Sequence, residues 1–295
     1  MDTIKNPIVS IVIPSYNHGN FLKLALDSIF SQSFTDWEVI IVDNHSTDNT
    51  DEVLESYNDP RVRVFKIKND GIIAVSRNLG IQKSRSELIA FLDSDDYWDH
   101  KKLAKVVEIF QKHQPDILYH DMFVFEGNVT NKNKVVKSRA FKNDALRDLL
   151  VKGNPIFNSS VVVRKKVLSE VGLIDSSPYL VGAEDYNTWL KIAEKGYQFF
   201  YLNECLGYYR EHSQSVSNKN MALVMRKAVE PFKNKVSSIE EKRMYSRIMY
   251  FEIKFNFLKK KIRPEKEDLL FCLKNADFSI KLRLIFLVIN FYFTH

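Results

Sequence analysis

The chain has 295 residues, 45% of them hydrophobic and 13% aromatic. That is enough for a sizeable core and excludes a disordered, collagenous or low-complexity chain. Two cysteines, Cys205 and Cys272, stand far apart with no Cys-x-x-Cys, which excludes a disulfide scaffold and a cysteine zinc site. The net charge of +6 is uneven: residues 219–295 carry 17 Lys/Arg against 8 Asp/Glu (+9), and residues 1–218 carry 26 against 29 (−3).

The first hundred residues alternate strand and helix signals. Ile8–Ile13 is a β-branched run stopped by Pro14, and Phe21, Leu22, Ala25, Leu26, Ile29 and Phe30 follow at helical spacing. Glu38–Val42 is a second apolar run, Asp48–Tyr57 reads as helix, and Arg61–Phe65 as an alternating strand. Ile72–Lys83 is helical and Leu88–Leu92 is another buried strand. This alternation predicts βαβ units and a mostly parallel sheet covered on both faces. The stretch from Pro115 to Val163 is less regular, with a polar loop expected at Gly127–Lys134 between strands. Val161–Val171 runs strand into helix, and Glu184–Lys195 is a helix with Trp189, Leu190, Ile192 and Ala193 inside, closed by Gly196. Beyond Asn218 the chain reads as helix at Met221–Val236, Glu240–Lys261, Pro264–Ala276 and Ser279–Phe293. The expected division is therefore an α/β domain at 1–218 and a basic all-helical region at 219–295, drawn to anions such as lipid headgroups or nucleic acid.

The amino terminus has no basic start followed by an apolar stretch, so no secretory leader is expected. The longest apolar stretch, Leu284–Ile289, is well short of the ~20 residues of a spanning helix. A cytoplasmic protein is expected, able to lie on the inner face of a membrane or to pair with a second copy through its last helices. The basic tail carries no recognised nucleic-acid module.

Polar clusters follow the last apolar residue of three strands: Pro14-Ser15-Tyr16-Asn17, Asp43-Asn44-His45-Ser46 and Asp93-Ser94-Asp95-Asp96. Ligands in open α/β sheets bind beyond the carboxyl ends of the strands. In extended chain the side chains of Asp93 and Asp95 point the same way, and two hard oxygen donors with room for water and phosphate suit Mg²⁺ or Mn²⁺. The sequence has neither GxxxxGK[ST] nor GxGxxG, so a diphosphate would be neutralised by a metal and basic side chains.

These clusters, with Ser76-Arg77-Asn78-Leu79-Gly80, Ala183-Glu184-Asp185-Tyr186 and the Arg210-Glu211-His212…Ser217 loop, come in an order and spacing that resembles the family 2 glycosyltransferases. The resemblance covers about residues 6–218. It implies a GT-A fold, a UDP-sugar donor, a divalent cation and inversion at the anomeric carbon. It also implies a glycan acceptor on a lipid carrier, in the synthesis of a surface polysaccharide such as capsule or O-antigen.

Within that resemblance Asp43 would accept from the uracil imide, with a turn- or helix-capping role as its alternative. Pro14, Ser15 and Tyr16 would line the base pocket, and Tyr16 either stacks on the base or packs at a strand end. Arg77 offers a fork of donors to phosphate or to a buried carboxylate. Asp93 is expected near the ribose, Asp95 and His212 on the metal, Asp96 in the turn, and Arg210 beside the leaving diphosphate. Trp98 and Trp189 read as packing residues. Asp185 would be the general base for a one-step displacement, with Glu184 as its alternative. Two other readings share the fold or the substrates: a binding protein without turnover, and a sugar-1-phosphate nucleotidyltransferase. The latter would open with a Gly-rich, Arg- and Lys-containing loop, which Pro14–Asn17 is not.

Overall fold

The computed structural model describes residues 6–126, 129–211, 220–260 and 262–294. It opens β1 (Val9–Ser15), α1 (Gly19–Phe30), β2 (Trp37–Asp43), α2 (Thr50–Glu55), β3 (Val62–Lys66), α3 (Ile73–Lys83) and β4 (Leu88–Phe91). β1 lies between β2 and β4, and β3 flanks β2, all parallel. This half is the expected βαβ arrangement, and it lines up the carboxyl ends of β1, β2 and β4.

The rest of the sheet is mixed. β5 (Tyr97–Trp98), α4 (Lys102–His113), β6 (Ile117–Glu126), β7 (Val129–Val136), α5 (Ala145–Lys152), β8 (Val162–Arg164), α6 (Lys165–Glu170), α7 (Glu184–Glu194) and β9 (Phe199–Arg210) follow. The strand order is β3-β2-β1-β4-β8-β6-β9-β5, with β7 paired to β6. β8 runs antiparallel to β4, and β9 runs parallel to β6. The carboxyl-terminal helices are α8 (Ala222–Val229), α9 (Ser238–Phe255), α10 (Lys266–Asn275) and α11 (Phe278–Thr294), close to the predicted segments.

Strand alternation sends successive side chains to opposite faces, and both faces are covered. Ile11 and Ile13 of β1 pack with Leu22, Leu26, Leu103 and Val106 of α1 and α4. Val12 faces the other way, with Phe91, Trp189 and Ile192, and this core continues through Val229, Met244 and Ile248 into the carboxyl-terminal helices. A satellite cluster of Tyr250, Ile253, Cys272, Ala276, Ile280 and Leu284 holds α9, α10 and α11 together.

Three expectations need correction. β1 continues through Pro14 to Ser15, because its pairing with β4 ends at Val12 and only β2 remains as partner beyond it. Most of the polar stretch expected as a loop at Gly127–Lys134 is strand β7, an edge partner of β6. Charged residues are tolerated on such an edge. α4, α5 and the long β9 have no counterpart among the predicted elements.

Candidate active site

The first two polar clusters are stitched into one wall. Asn17 and His45 both take left-handed backbone, with φ of 51° and 52°. The Asn17 amide donates to Ser46 Oγ at 2.8 Å, and the Thr47 amide donates to Asn17 Oδ1 at 2.7 Å. Asp43 is fully buried at the end of β2. Its Oδ1 accepts from Ser46 Oγ at 2.5 Å, its Oδ2 from the Ser46 amide at 3.1 Å, and Lys66 Nζ lies at 4.0 Å. The turn-forming alternative for Asp43 is thus realised. Pro14 and Ser15 are buried beside it, whereas Tyr16 is 55% exposed, so its ring is not packed at the strand end.

The third cluster is a tight turn after β4. The Asp96 amide donates to the Asp93 carbonyl at 3.0 Å, and buried Asp96 accepts from the Arg210 amide at 2.9 Å. Burial, reinforced by Asp95 and Asp93, pushes the Asp96 carboxyl well above the usual range. Asp96 therefore organises the turn, as expected. Arg210 Nε donates to the Asp95 carbonyl at 3.0 Å, and its guanidinium lies 4.4 Å from the Phe21 ring centre and 4.2 Å from that of Phe125. Asp95 and Arg210 are thus neighbours. His212 lies outside the described residues.

Arg77 joins the two halves of the site. It is 4% exposed, and of the two partners expected for it the structure gives it carboxylates. Nη2 donates to Asp93 Oδ1 at 2.7 Å and Nη1 to Glu184 Oε1 at 2.6 Å. Glu184 Oε2 accepts from the Gly182 amide at 2.6 Å, so both of its oxygens are engaged. Its neighbour Asp185, at the start of α7, accepts from the Tyr186 amide at 2.6 Å. Burial and the adjacent Glu184 push the Asp185 carboxyl up to about 7, while Arg77 pulls it down. A carboxylate half ionised near neutrality is suited to taking a proton.

Three residues near the turn carry contacts to which the sequence assigned no role. Asn158 Nδ2 donates to Asp93 Oδ1 at 3.0 Å, and Ser159 Oγ accepts from the Asp93 amide at 3.0 Å. The Ser159 carbonyl accepts from Trp98 Nε1 at 2.8 Å and from the fully buried Lys102 Nζ at 2.7 Å. Asn158 and Ser159 belong to the Asn-Ser-Ser run that precedes β8, the only hint in the sequence. Trp98 and Trp189 are buried packing residues, as read.

Among the described residues no group of three or more His, Cys, Asp or Glu side chains is arranged to hold a metal ion. Magnesium is usually held through one or two protein carboxylates, with water and substrate phosphates completing the shell. The half-buried Asp95 carboxylate fits such a one-carboxylate donor set, but the expected extended pair is not formed: Asp95 lies in the turn after β4, and Asp93 Oδ1 is held by Arg77 and Asn158.

The Glycosyl transferase family 2 model matches residues 10–172, more than half of the chain. The chain belongs to this family. The glycosyltransferase is 30% identical over 218 residues to the UDP-Glc:alpha-D-GlcNAc-diphosphoundecaprenol beta-1,3-glucosyltransferase WfaP of Escherichia coli, spanning 74% of this chain and 83% of that protein. It is 28% identical over 247 residues to the glycosyltransferase GlyG of Streptococcus pneumoniae, spanning 78% and 80%. Among solved structures, TarS 1–349 of S. aureus superposes with a TM-score of 0.62 at 18% identity, over 97% of this chain and 89% of that one. The glycosyltransferase has the GT-A type α/β fold, as expected from its sequence.

Proposed function

We propose that this enzyme transfers a sugar, with inversion, from a UDP-sugar to a glycan acceptor carried on a lipid diphosphate in surface polysaccharide synthesis. The observation that carries the reading is Asp185, a carboxyl raised to about 7 beside the Arg77 bridge between Glu184 and Asp93. The name of WfaP supports it, giving UDP-Glc as donor and a diphosphoundecaprenol-linked acceptor. TarS, a neighbour in fold, has been crystallised with UDP-GlcNAc.

In the proposed step the acceptor hydroxyl oxygen attacks the anomeric carbon opposite the diphosphate. Its proton passes to Asp185 Oδ, the new carbon–oxygen bond forms, and the pair of the breaking bond leaves on the β-phosphate oxygen of UDP. Glu184, held at both oxygens, keeps Arg77 and the start of α7 in place rather than taking the proton. The Asp43 wall, with Pro14, Ser15 and the exposed Tyr16 ring, receives the nucleotide. Asp93 faces the ribose, and Arg210 stands on the leaving-group side. A Mn²⁺ or Mg²⁺ on Asp95, with His212 as a further ligand, would neutralise the diphosphate. No helix of the described residues is long and apolar enough to cross a membrane. We read the enzyme as reaching its lipid-linked acceptor from the cytoplasmic membrane surface.

Release of UDP from UDP-Glc, UDP-Gal, UDP-GlcNAc and UDP-GalNAc, with Mn²⁺ and with or without a lipid-diphosphate glycan, tests this reading. Acceptor-dependent release from one donor is expected. Binding of UDP-sugar without release under any condition would make the chain a binding protein of the same fold.

A further inference from the structure

The last helices carry a surface that the transfer step does not use. Helix α11 is apolar on two sides. Ile280 and Leu284 are buried against Tyr250, Ile253 and Cys272. Phe278, Leu282, Ile285, Phe286 and Ile289 are exposed, Phe278 by 80% and Phe286 by 57%. These five follow i, i+4, i+7, i+8 and i+11, so they form one stripe, about 16 Å long at 1.5 Å per residue. A contiguous exposed apolar stripe marks an interaction surface.

Basic residues outnumber acidic ones along this part of the sequence. Residues 278–295 contain Lys281 and Arg283 and no Asp or Glu. Between Glu252 and Glu265 stand Lys254, Lys259, Lys260, Lys261 and Arg263, again with no acidic residue. At the first turn of α11 a cleft of about 410 Å³ is lined by Arg139, Lys152, Arg243 and Arg247, with Asp277 and Ser279. Arg247 Nη2 donates to Asp277 at 2.5 Å, and Arg139 and Lys152 each donate to Asp148 at 2.6 Å. Arg243 Nε is buried with no hydrogen-bond partner among the described residues. Four cations meet two carboxylates, and one buried donor is unmet. A phosphate group in the cleft would offset the excess positive charge.

We propose that the α11 stripe and this cleft are one docking surface for an anionic membrane, the stripe entering the interface and the cleft taking a lipid phosphate. The inference deepens, and rests on, the reading that the acceptor is membrane-bound. A second copy of the chain is the other occupant such a stripe could take. An isologous pairing would set the same stripe with its flanking Lys281 and Arg283 on both sides, like charges facing like. Anionic headgroups neutralise those cations instead.

The test uses the full chain, sedimented with vesicles of phosphatidylcholine alone or mixed with phosphatidylglycerol, at low and high salt. UDP binding is measured by calorimetry and oligomeric state by light scattering. Binding to the phosphatidylglycerol vesicles at low salt is expected, weakened about tenfold at high salt. Phe286→Glu and Arg243→Gln should each weaken it about tenfold or more and leave UDP affinity unchanged. A chain that binds UDP but ignores these vesicles overturns the inference and leaves the proposed function standing, whereas a chain that binds vesicles but never UDP overturns the proposed function. If Phe286→Glu splits a dimer without changing vesicle binding, the stripe serves a second copy and the inference fails. If inorganic phosphate stabilises the wild type and not Arg243→Gln, while that variant binds vesicles normally, the cleft serves free phosphate and its lipid role is refuted.

Discussion

Replacing Arg77 by Met keeps the length and burial of the side chain and removes both charged hydrogen bonds. Arg77 is the tie between the strand end that carries Asp93 and the helix start that carries Glu184 and Asp185. Breaking a buried pair by removing one partner costs about 3–5 kcal/mol. Asp93 keeps 30% of its side chain exposed and Glu184 only 7%, so solvent relieves one of the two stranded carboxylates and the lower end, about 3 kcal/mol, applies. At roughly 2–4 °C per kcal/mol for a large domain, thermal unfolding should fall by about 6–12 °C. Arg77 also lowers the Asp185 pKa. Without it, the pH at which transfer reaches half its maximum should move upward from about 7, because more alkali is then needed to ionise the base. Arg77→Lys, a point charge without the fork, should restore part of the stability. A Met variant that melts within about 2 °C of wild type and keeps its pH profile would refute the account of Arg77 as a clamp.

Three further outcomes are expected. Asp95→Ala should abolish Mn²⁺-dependent transfer while circular dichroism and melting stay near wild type, and unchanged turnover at saturating donor would remove Asp95 from the metal. Asp43→Ala should weaken UDP binding in calorimetry and lower stability by about 1–2 kcal/mol, since the Ser46 hydroxyl and amide both lose their acceptor; unchanged UDP affinity would leave Asp43 as a turn residue only. Gly80→Ala should cost about 1–3 kcal/mol in denaturant unfolding, because a Cβ there would lie 2.4 Å from Val12 Cγ1 where α3 meets β1; a neutral result would show that the contact relaxes freely.

The parts of this molecule legible in the sequence are those set by local chemistry. β1 and β2 announce themselves as β-branched runs and β4 as a short apolar run, and each is followed by the polar cluster that lines the site. α7 shows its apolar face in Trp189, Leu190, Ile192 and Ala193 and its acidic first turn in Glu184 and Asp185. What was not legible depends on pairs far apart along the chain. Arg77 reaches Glu184 across 107 positions, and Asn158 reaches Asp93 across 65. No local pattern says whether a fork of donors meets phosphate or carboxylate. β7 is disguised because Val129–Val136 holds Asn131, Lys132, Asn133 and Lys134, residues that read as loop and are tolerated on a strand with one partner. β9 is disguised because its pairing with β6 shifts register beside His120 and again beyond Asp121, which breaks the alternation that would have revealed it.

The central claim is that Asp185 takes the acceptor proton. The most direct measurement is the pH dependence of acceptor-dependent UDP release for wild type, Asp185→Asn and Glu184→Gln, with UDP binding followed in each. Wild type should lose kcat/KM about tenfold per pH unit below a midpoint near 7. This is the direction set by a base whose pKa is raised, since activity requires the ionised form. Asp185→Asn should be slower by about 10²–10⁴ at pH 8 with UDP affinity intact. Glu184→Gln should keep part of its activity and lose stability through Arg77. An active Asp185→Asn beside a dead, folded Glu184→Gln would contradict the account and transfer the role of base to Glu184.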